Sequence, residues 1–231
     1  MSGLSGFTEG RDEVVKGDDL EVGDPVVVDR YTTAARINHW LTAVSLILLA
    51  LSGFSLFHPS LYFLTGLFGG GQLTRTIHPW IGVFLFIGFT GLFIRFWRVN
   101  LWSPLDAAWL KNIRTFLAGH EDRMPEIGRF NFPQKAVFWC MGILIIISII
   151  SGLALWDQYF GTYTTIEQKR IAVLIHSTSA ILMIYIVIVH VYGGYWARGT
   201  MTAMLKGKVT GGWAWRHHRL WLRELVTRKS H

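Results

Sequence analysis

Four apolar runs organise the chain, at roughly 37–57, 78–97, 136–156 and 171–196, and the polar stretches between them carry nearly all of the charge. Each run is close to the ~20 residues a helix needs to cross the hydrocarbon core of a bilayer. Tryptophans stand near the run ends (Trp40, Trp80, Trp97, Trp139, Trp156 and Trp196), where an aromatic belt meets the membrane–water boundary. The pattern predicts an all-α membrane protein built as a four-transmembrane-helix bundle. Residues 1–30 alternate acidic and basic without helical periodicity and read as a flexible or partner-bound arm. They do not resemble a signal peptide, which would place an apolar run after a short basic start. Residues 31–197 form the helical domain. Residues 198–231 mix Trp and Leu with Arg and His and read as an amphipathic tail at the interface, with a solvated outer end equally open.

Charge adds orientation to this picture. The chain is 51% apolar and 16% charged, yet its net charge is +7. Nineteen of the 22 Lys and Arg fall in the N-terminal arm, the second connection and the C-terminal tail, and three (Arg75, Lys169, Arg170) fall in the first and third connections. By the positive-inside rule both termini are cytoplasmic. Nucleic-acid binding, the other common reading of a basic chain, is set aside because membrane-length runs interrupt the basic residues. The one cysteine, Cys140, cannot make an internal disulfide, a zinc site or an iron–sulfur cluster, and is expected to be a small buried apolar residue.

Four of the nine histidines, His39, His78, His176 and His190, fall within or at the ends of the apolar runs. Ionisable groups at membrane depth are expensive and therefore functional candidates. His176 and His190 are 14 residues apart on the fourth run, a rise of ~21 Å and close to four whole turns, so both rings leave one face at two depths. Helix 1 starts inside at His39 and helix 2 starts outside at His78. The four residues therefore sort into an outer pair, His78 with His176, and an inner pair, His39 with His190. A zinc or copper site wants three or four close ligands, whereas two imidazoles complete the six-coordination of haem iron. Two haems b, each held by two histidines, fit this pattern. Gly53, Gly82, Gly91, Gly193 and Gly194 suit faces against a flat porphyrin, with close helix packing as the commoner explanation. Arg36 and Arg198 at the inner level, and Arg75 at the outer, could pair haem propionates. His58, His120, His217, His218 and His231 read as surface residues, with His217 and His218 open to partner or interface contacts.

The motifs Arg-x-Asn-His-Trp at 36–40, Ile-His-Pro-Trp at 77–80, Leu-Ile-His at 174–176 and Val-His-Val-Tyr at 189–192 resemble those of the membrane cytochrome b (gamma) subunit of respiratory formate dehydrogenase. So do Ala-Leu-Ser-Gly-Phe, Gly-Arg-Phe-Asn, Gly-Lys-Val and the tail Trp-Arg-His-His-Arg-x-Trp, and the resemblance covers about residues 31–225. It implies a multi-pass subunit of a formate:quinone oxidoreductase in the bacterial inner membrane. The partners would be an iron–sulfur subunit and a molybdenum or tungsten catalytic subunit, alongside membrane lipid and quinone but no nucleic acid, with room for a higher oligomer of the complex. Electrons would enter at the outer haem and leave from the inner one to a quinone near the cytoplasm. Formate would be oxidised elsewhere, and no catalytic residue is assigned here. The quinone would meet His190 and Asn131, with Gln134 nearby. The family usually shows Asn-x-Gly-Gln-Lys at that place, whereas this chain has Pro133 before Gln134, which removes a backbone N–H. Without the resemblance Asn131 reads as a helix cap. A cytochrome b of a membrane hydrogenase or thiosulfate-type reductase is the nearest alternative, and a haem-free proton-relay transporter or membrane anchor a remote one.

Overall fold

A computed structural model describes residues 19–21, 26–120 and 123–229. Arg11, Lys16, His231 and most of the expected arm lie outside the described residues. Among the described residues, four helices are long and apolar enough to cross a membrane: α1 (Thr33–Phe57), α2 (Gly71–Phe96), α5 (Phe132–Leu155) and α7 (Ile166–Trp196). They begin four to seven residues before the apolar runs do, because polar residues such as Thr33, Gln72 and Glu167 continue the helix past the hydrocarbon-length segment. Shorter helices are α3 (Pro104–Lys111), α4 (Ile113–Leu117), α6 (Asp157–Phe160), α8 (Thr200–Lys206), α9 (Gly211–His217) and α10 (Arg219–Lys229). 3₁₀ helices span Pro59–Phe68 and Gly161–Tyr163, and the described residues also form three short strands, β1 (Asp19–Glu21), β2 (Val27–Asp29) and β3 (Lys208–Thr210).

By packing, the chain divides into two compact units that cut across the arm, helical domain and tail distinguished by composition. The helical unit holds Ile37–Ile94 and Cys140–Val189. Its core is Leu85, Ile145 and Met183, with Leu46, Leu49, Phe89, Met141 and Leu144 packed around them. Polarity is turned inside out on its helices. Ile37, Leu41, Val44 and Ile47 form an exposed stripe on α1, whereas Ser45, Ser52 and Ser55 of the same helix are buried. A lipid-facing helix can do this because the hydrocarbon takes apolar side chains and each serine donates its proton back along its own helix: Ser45 to Leu41 O at 2.8 Å and Ser52 to Leu48 O at 2.7 Å. Cys140 corrects the sequence expectation, for it is exposed. It falls on the outward stripe of α5 with Ile143, Ile147 and Ile150, where a thiol serves as apolar surface.

The mixed unit holds the described residues up to Arg36, with Arg95–Trp139 and those from His190 onward. Its sheet, in the order β1-β2-β3, is antiparallel throughout, with Val28 opposite Val209 and Asp29 opposite Lys208. Val28, Ala203, Val209, Trp213, Ala214, Trp221 and Leu225 form its core. Gly207 joins α8 to β3 at φ +82°, and its carbonyl accepts from the N–H groups of Arg30 and Tyr31 at 2.8 and 3.0 Å. A Cβ there would stand 2.6 Å from the Tyr31 carbonyl oxygen, so only glycine fits.

His218 also departs from the expectation of a surface residue, being 1% exposed. Its Nδ1 donates to Gly128 O at 2.8 Å, and Arg30 Nη2 donates to its Nε2 at 3.2 Å. The Trp213 ring lies 5.0 Å away. Burial first, and then the charge of Arg30, hold its pKa well below the ordinary histidine value. The unfolded chain therefore binds a proton at this residue that the folded chain refuses. The stability it contributes is complete above the unfolded pKa of about 6.5 and is lost as pH falls below that value, by up to about 1.4 kcal/mol per pH unit. Acidifying the detergent-solubilised protein from about pH 7.5 to about 5.5 should lower its thermal midpoint, followed by tryptophan fluorescence. His218→Asn keeps an N–H for Gly128 and does not titrate, so its midpoint should fall less. Equal slopes would show that another group titrates.

Candidate cofactor site

The site is built from serine and glycine on the inner helix faces. His78, in the second turn of α2, and His176, eleventh residue of α7, come together in the helical unit with ring centres 6.2 Å apart and planes at 68°. Each ring is anchored at Nδ1 by a different helix. His78 Nδ1 lies 2.7 Å from Ser52 Oγ on α1. His176 Nδ1 donates to the Ser148 carbonyl on α5 at 3.0 Å and has Ser151 Oγ at 3.1 Å. Ser148 Oγ continues the network to Ser179 Oγ at 2.7 Å. With both Nδ1 atoms committed to protein, Nε2 is the nitrogen each ring offers to a metal.

With ring centres 6.2 Å apart and Nε2 uncommitted on each, His78 and His176 would be the residues to hold a haem iron, which would supply one-electron exchange. Among the described residues no three His, Cys, Asp or Glu side chains converge as a closed metal site. Glycine supplies room beside both rings. A Cβ at Gly53 would lie 3.6 Å from His78 Cε1, and one at Gly152 would lie 3.2 Å from His176 Cε1. Among the described residues nothing comes within 4 Å of a Cβ at Gly82 or Gly193, so both present open helix surface. Gly91 follows the packing alternative instead, since its Cβ would strike Asn38 Nδ2 at 2.7 Å, and Gly194 faces Met201 at 3.5 Å.

The other expected site residues are placed as follows. His39, in the second turn of α1, belongs to the helical unit and stacks edge-on against Trp40 at 5.5 Å. His190 lies fourteen residues beyond His176 on the uninterrupted helix α7 and belongs to the mixed unit. Arg75 and Arg198 are exposed. Arg36 donates to the Leu205 carbonyl at the end of α8 and to Thr33 Oγ1, which gives it a structural role. Asn131 and Gln134 form a reciprocal cap at the start of α5: Asn131 N donates to Gln134 Oε1 and Gln134 N donates to Asn131 Oδ1, both at 3.0 Å. Pro133 is the second residue of that helix, where a missing N–H breaks no intrahelical bond. Beside the cap, Lys135 makes a buried ion pair with Asp106 at 3.0 Å. His58 and His120 are exposed, and His217 is half-buried against Trp213. Ser52, Ser148, Ser151 and Gly152 were not identified from the sequence, although their small-residue stripe on apolar runs is a usable signal.

Four helices of membrane-crossing length and composition make this a multi-pass membrane protein, and the sequence comparisons give its family. The family model described as prokaryotic cytochrome b561 matches residues 30–207, and the chain belongs to that family, which implies haem b. The chain is 41% identical over 196 residues (85% of its own length, 92% of the relative's) to the formate dehydrogenase cytochrome b556(fdo) subunit of Escherichia coli strain K12. It is 35% identical over 190 residues (82% and 88%) to the nitrate-inducible formate dehydrogenase cytochrome b556(Fdn) subunit of the same strain. To the formate dehydrogenase cytochrome b556 subunit of Haemophilus influenzae it is 33% identical over 210 residues (91% and 88%).

Crowding at Gly152 provides a test of the site. Gly152→Val should push the His176 ring and lower the haem bound per chain, measured as the pyridine haemochrome. Gly142→Ala, whose Cβ would meet Phe89 at an ordinary 3.4 Å, should keep the wild-type haem content. Undiminished haem in Gly152→Val would separate His176 from haem binding.

Proposed function

We propose that this chain is the dihaem cytochrome b subunit of a formate:quinone oxidoreductase. It takes electrons from an iron–sulfur subunit outside the membrane and delivers them to quinone near the cytoplasmic side. The observation that carries this reading is the 6.2 Å separation of the His78 and His176 rings, each tied at Nδ1 to another helix. Haem iron held by two imidazoles exchanges single electrons and keeps no open position for oxygen. The formate dehydrogenase names of the similar proteins favour a formate-oxidising partner over a hydrogenase or thiosulfate-type one. The catalytic subunit would be a molybdenum or tungsten protein.

His78 and His176 hold the outer group. His39 and His190 are assigned to the inner one on helix register, because α7 is a single helix and fourteen residues return His190 to the face of His176 at a second depth. Arg75 serves the outer propionates and Arg198 the inner, with Arg36 less available because it serves Leu205 and Thr33. The cap at Asn131 leaves its amide N–H₂ free of that role, as it does the amide of Gln134, and these amides donate to a quinone carbonyl. Pro133 removes a backbone donor and leaves this pair in place. The distribution of Lys and Arg puts both termini in the cytoplasm. Electrons arriving from outside, and protons taken from the cytoplasm for the quinone, then move charge across the inner membrane without a pump.

Absorption spectra of membranes carrying the assembled complex test this reading. Formate should reduce two b-type haems in the wild type. His78→Ala or His176→Ala should remove one haem and block reduction by formate. His39→Ala or His190→Ala should leave the outer haem reducible and stop quinone turnover. Single changes that leave both haems bound would refute the pairing.

A further inference from the structure

A serine hydroxyl has one proton, and where it goes decides what the neighbouring imidazole must do. Ser52 Oγ lies 2.7 Å from the Leu48 carbonyl, which can only accept, so the hydroxyl proton points along α1. What remains for His78 Nδ1, at 2.7 Å, is a lone pair. His78 therefore carries its proton on Nδ1. Ser151 repeats the arrangement on α5: its Oγ donates to Ile147 O at 2.7 Å and stands 3.1 Å from His176 Nδ1. His176 has a second acceptor that His78 lacks, the Ser148 carbonyl at 3.0 Å. Ser52 is 0% exposed and Ser151 6%, so water does not replace either hydroxyl.

We propose that Ser52 and Ser151 are positioning residues that fix His78 and His176 as Nδ1–H tautomers and set the reduction potential of the haem these rings hold, with Ser52 dominant. The proposal rests on reading the two histidines as axial ligands. An acceptor on the far N–H makes an imidazole a more electron-rich ligand, which favours ferric iron. Losing Ser52 leaves the His78 N–H with no acceptor among the described residues, so the potential should rise. Losing Ser151 leaves His176 bonded to Ser148, so the rise should be smaller. The same hydroxyls orient the rings, since each ties the imidazole of one helix to the backbone of another.

The test is a redox titration of the haem absorption bands in membranes holding the complete complex. Ser52→Ala should retain both haems and shift the ferrous-to-ferric ratio of one of them upward at fixed ambient potential. The shift should be roughly threefold to tenfold, about 30 to 60 mV at about 59 mV per decade for one electron. Ser151→Ala should shift the same haem less. Ser45→Ala should shift neither, because Ser45 makes the same bond to Leu41 on the same helix and touches no imidazole. A Ser52→Ala titration indistinguishable from that of Ser45→Ala overturns the proposal, as does a larger shift in Ser151→Ala. Should Ser52→Ala lose haem, Ser52→Cys is titrated instead. Its weaker acceptor should move the same haem in the same direction by less, and an unmoved potential overturns the proposal. Retention of both haems in His78→Ala would instead overturn the ligand assignment, and the proposal with it.

Discussion

An imidazole set among apolar helices has one N–H to give and one lone pair to place, and hydrocarbon satisfies neither. Around His78 and His176 the solution is local. A neighbouring helix presents an oxygen to Nδ1, and the other nitrogen is the one that would hold a metal. Other features of the helical unit serve that arrangement. Glycine stands where a Cβ would approach a ring, as at Gly53 and Gly152. Serines line the inner faces beside the Leu85, Ile145 and Met183 core, and many large apolar side chains turn outward. Four helices with the usual amphipathic sense would bury the leucines and leave the rings without partners.

Burial of charge is handled differently in the mixed unit. Arg30 and Arg129 are 2% and 1% exposed and bond to each other's backbone carbonyls. The Arg30 guanidinium lies 4.8 Å from the Trp221 ring centre and 5.0 Å from that of Trp213. Aromatic faces offer a buried cation diffuse negative charge without a second ion. The Trp-rich tail is thus the wall of a small core closed by β2 and β3. Composition does not reveal this, because it does not distinguish a guanidinium stacked on indole, such as that of Arg30, from one in solvent.

What could be read in advance follows one physical line. Apolar length reveals a membrane helix, and a polar residue at membrane depth is conspicuous, so α1, α2, α5, α7 and the histidines on them stood out. Residues whose role depends on a partner far along the chain did not. His218 bonds Gly128, ninety positions away, and Arg30, still further, so a tail histidine looked exposed. Cys140 failed for the opposite reason: an apolar run implies burial in a soluble core, but in a membrane helix half of it faces lipid. Asn131 shows a residue with two readings. It reads as a helix cap from sequence, and it forms one reciprocally with Gln134. The serines were legible in principle, since Ser45, Ser52 and Ser55 repeat on one helical face.

The choice of serine beside the rings is itself a consequence of the solvent. In water-accessible proteins a carboxylate often accepts the far N–H of a metal-bound histidine. In hydrocarbon a carboxylate brings a charge that needs its own partner, as Asp106 has in Lys135 in the mixed unit. A serine hydroxyl avoids this because it discharges its proton into its own helix backbone and offers only lone pairs to the ring. It adds no net charge, needs no partner of opposite sign, and is small enough for two helices to approach. The weaker acceptor is therefore the one that a membrane helix can hold buried, and its position along the helix, rather than its charge, decides which imidazole it directs.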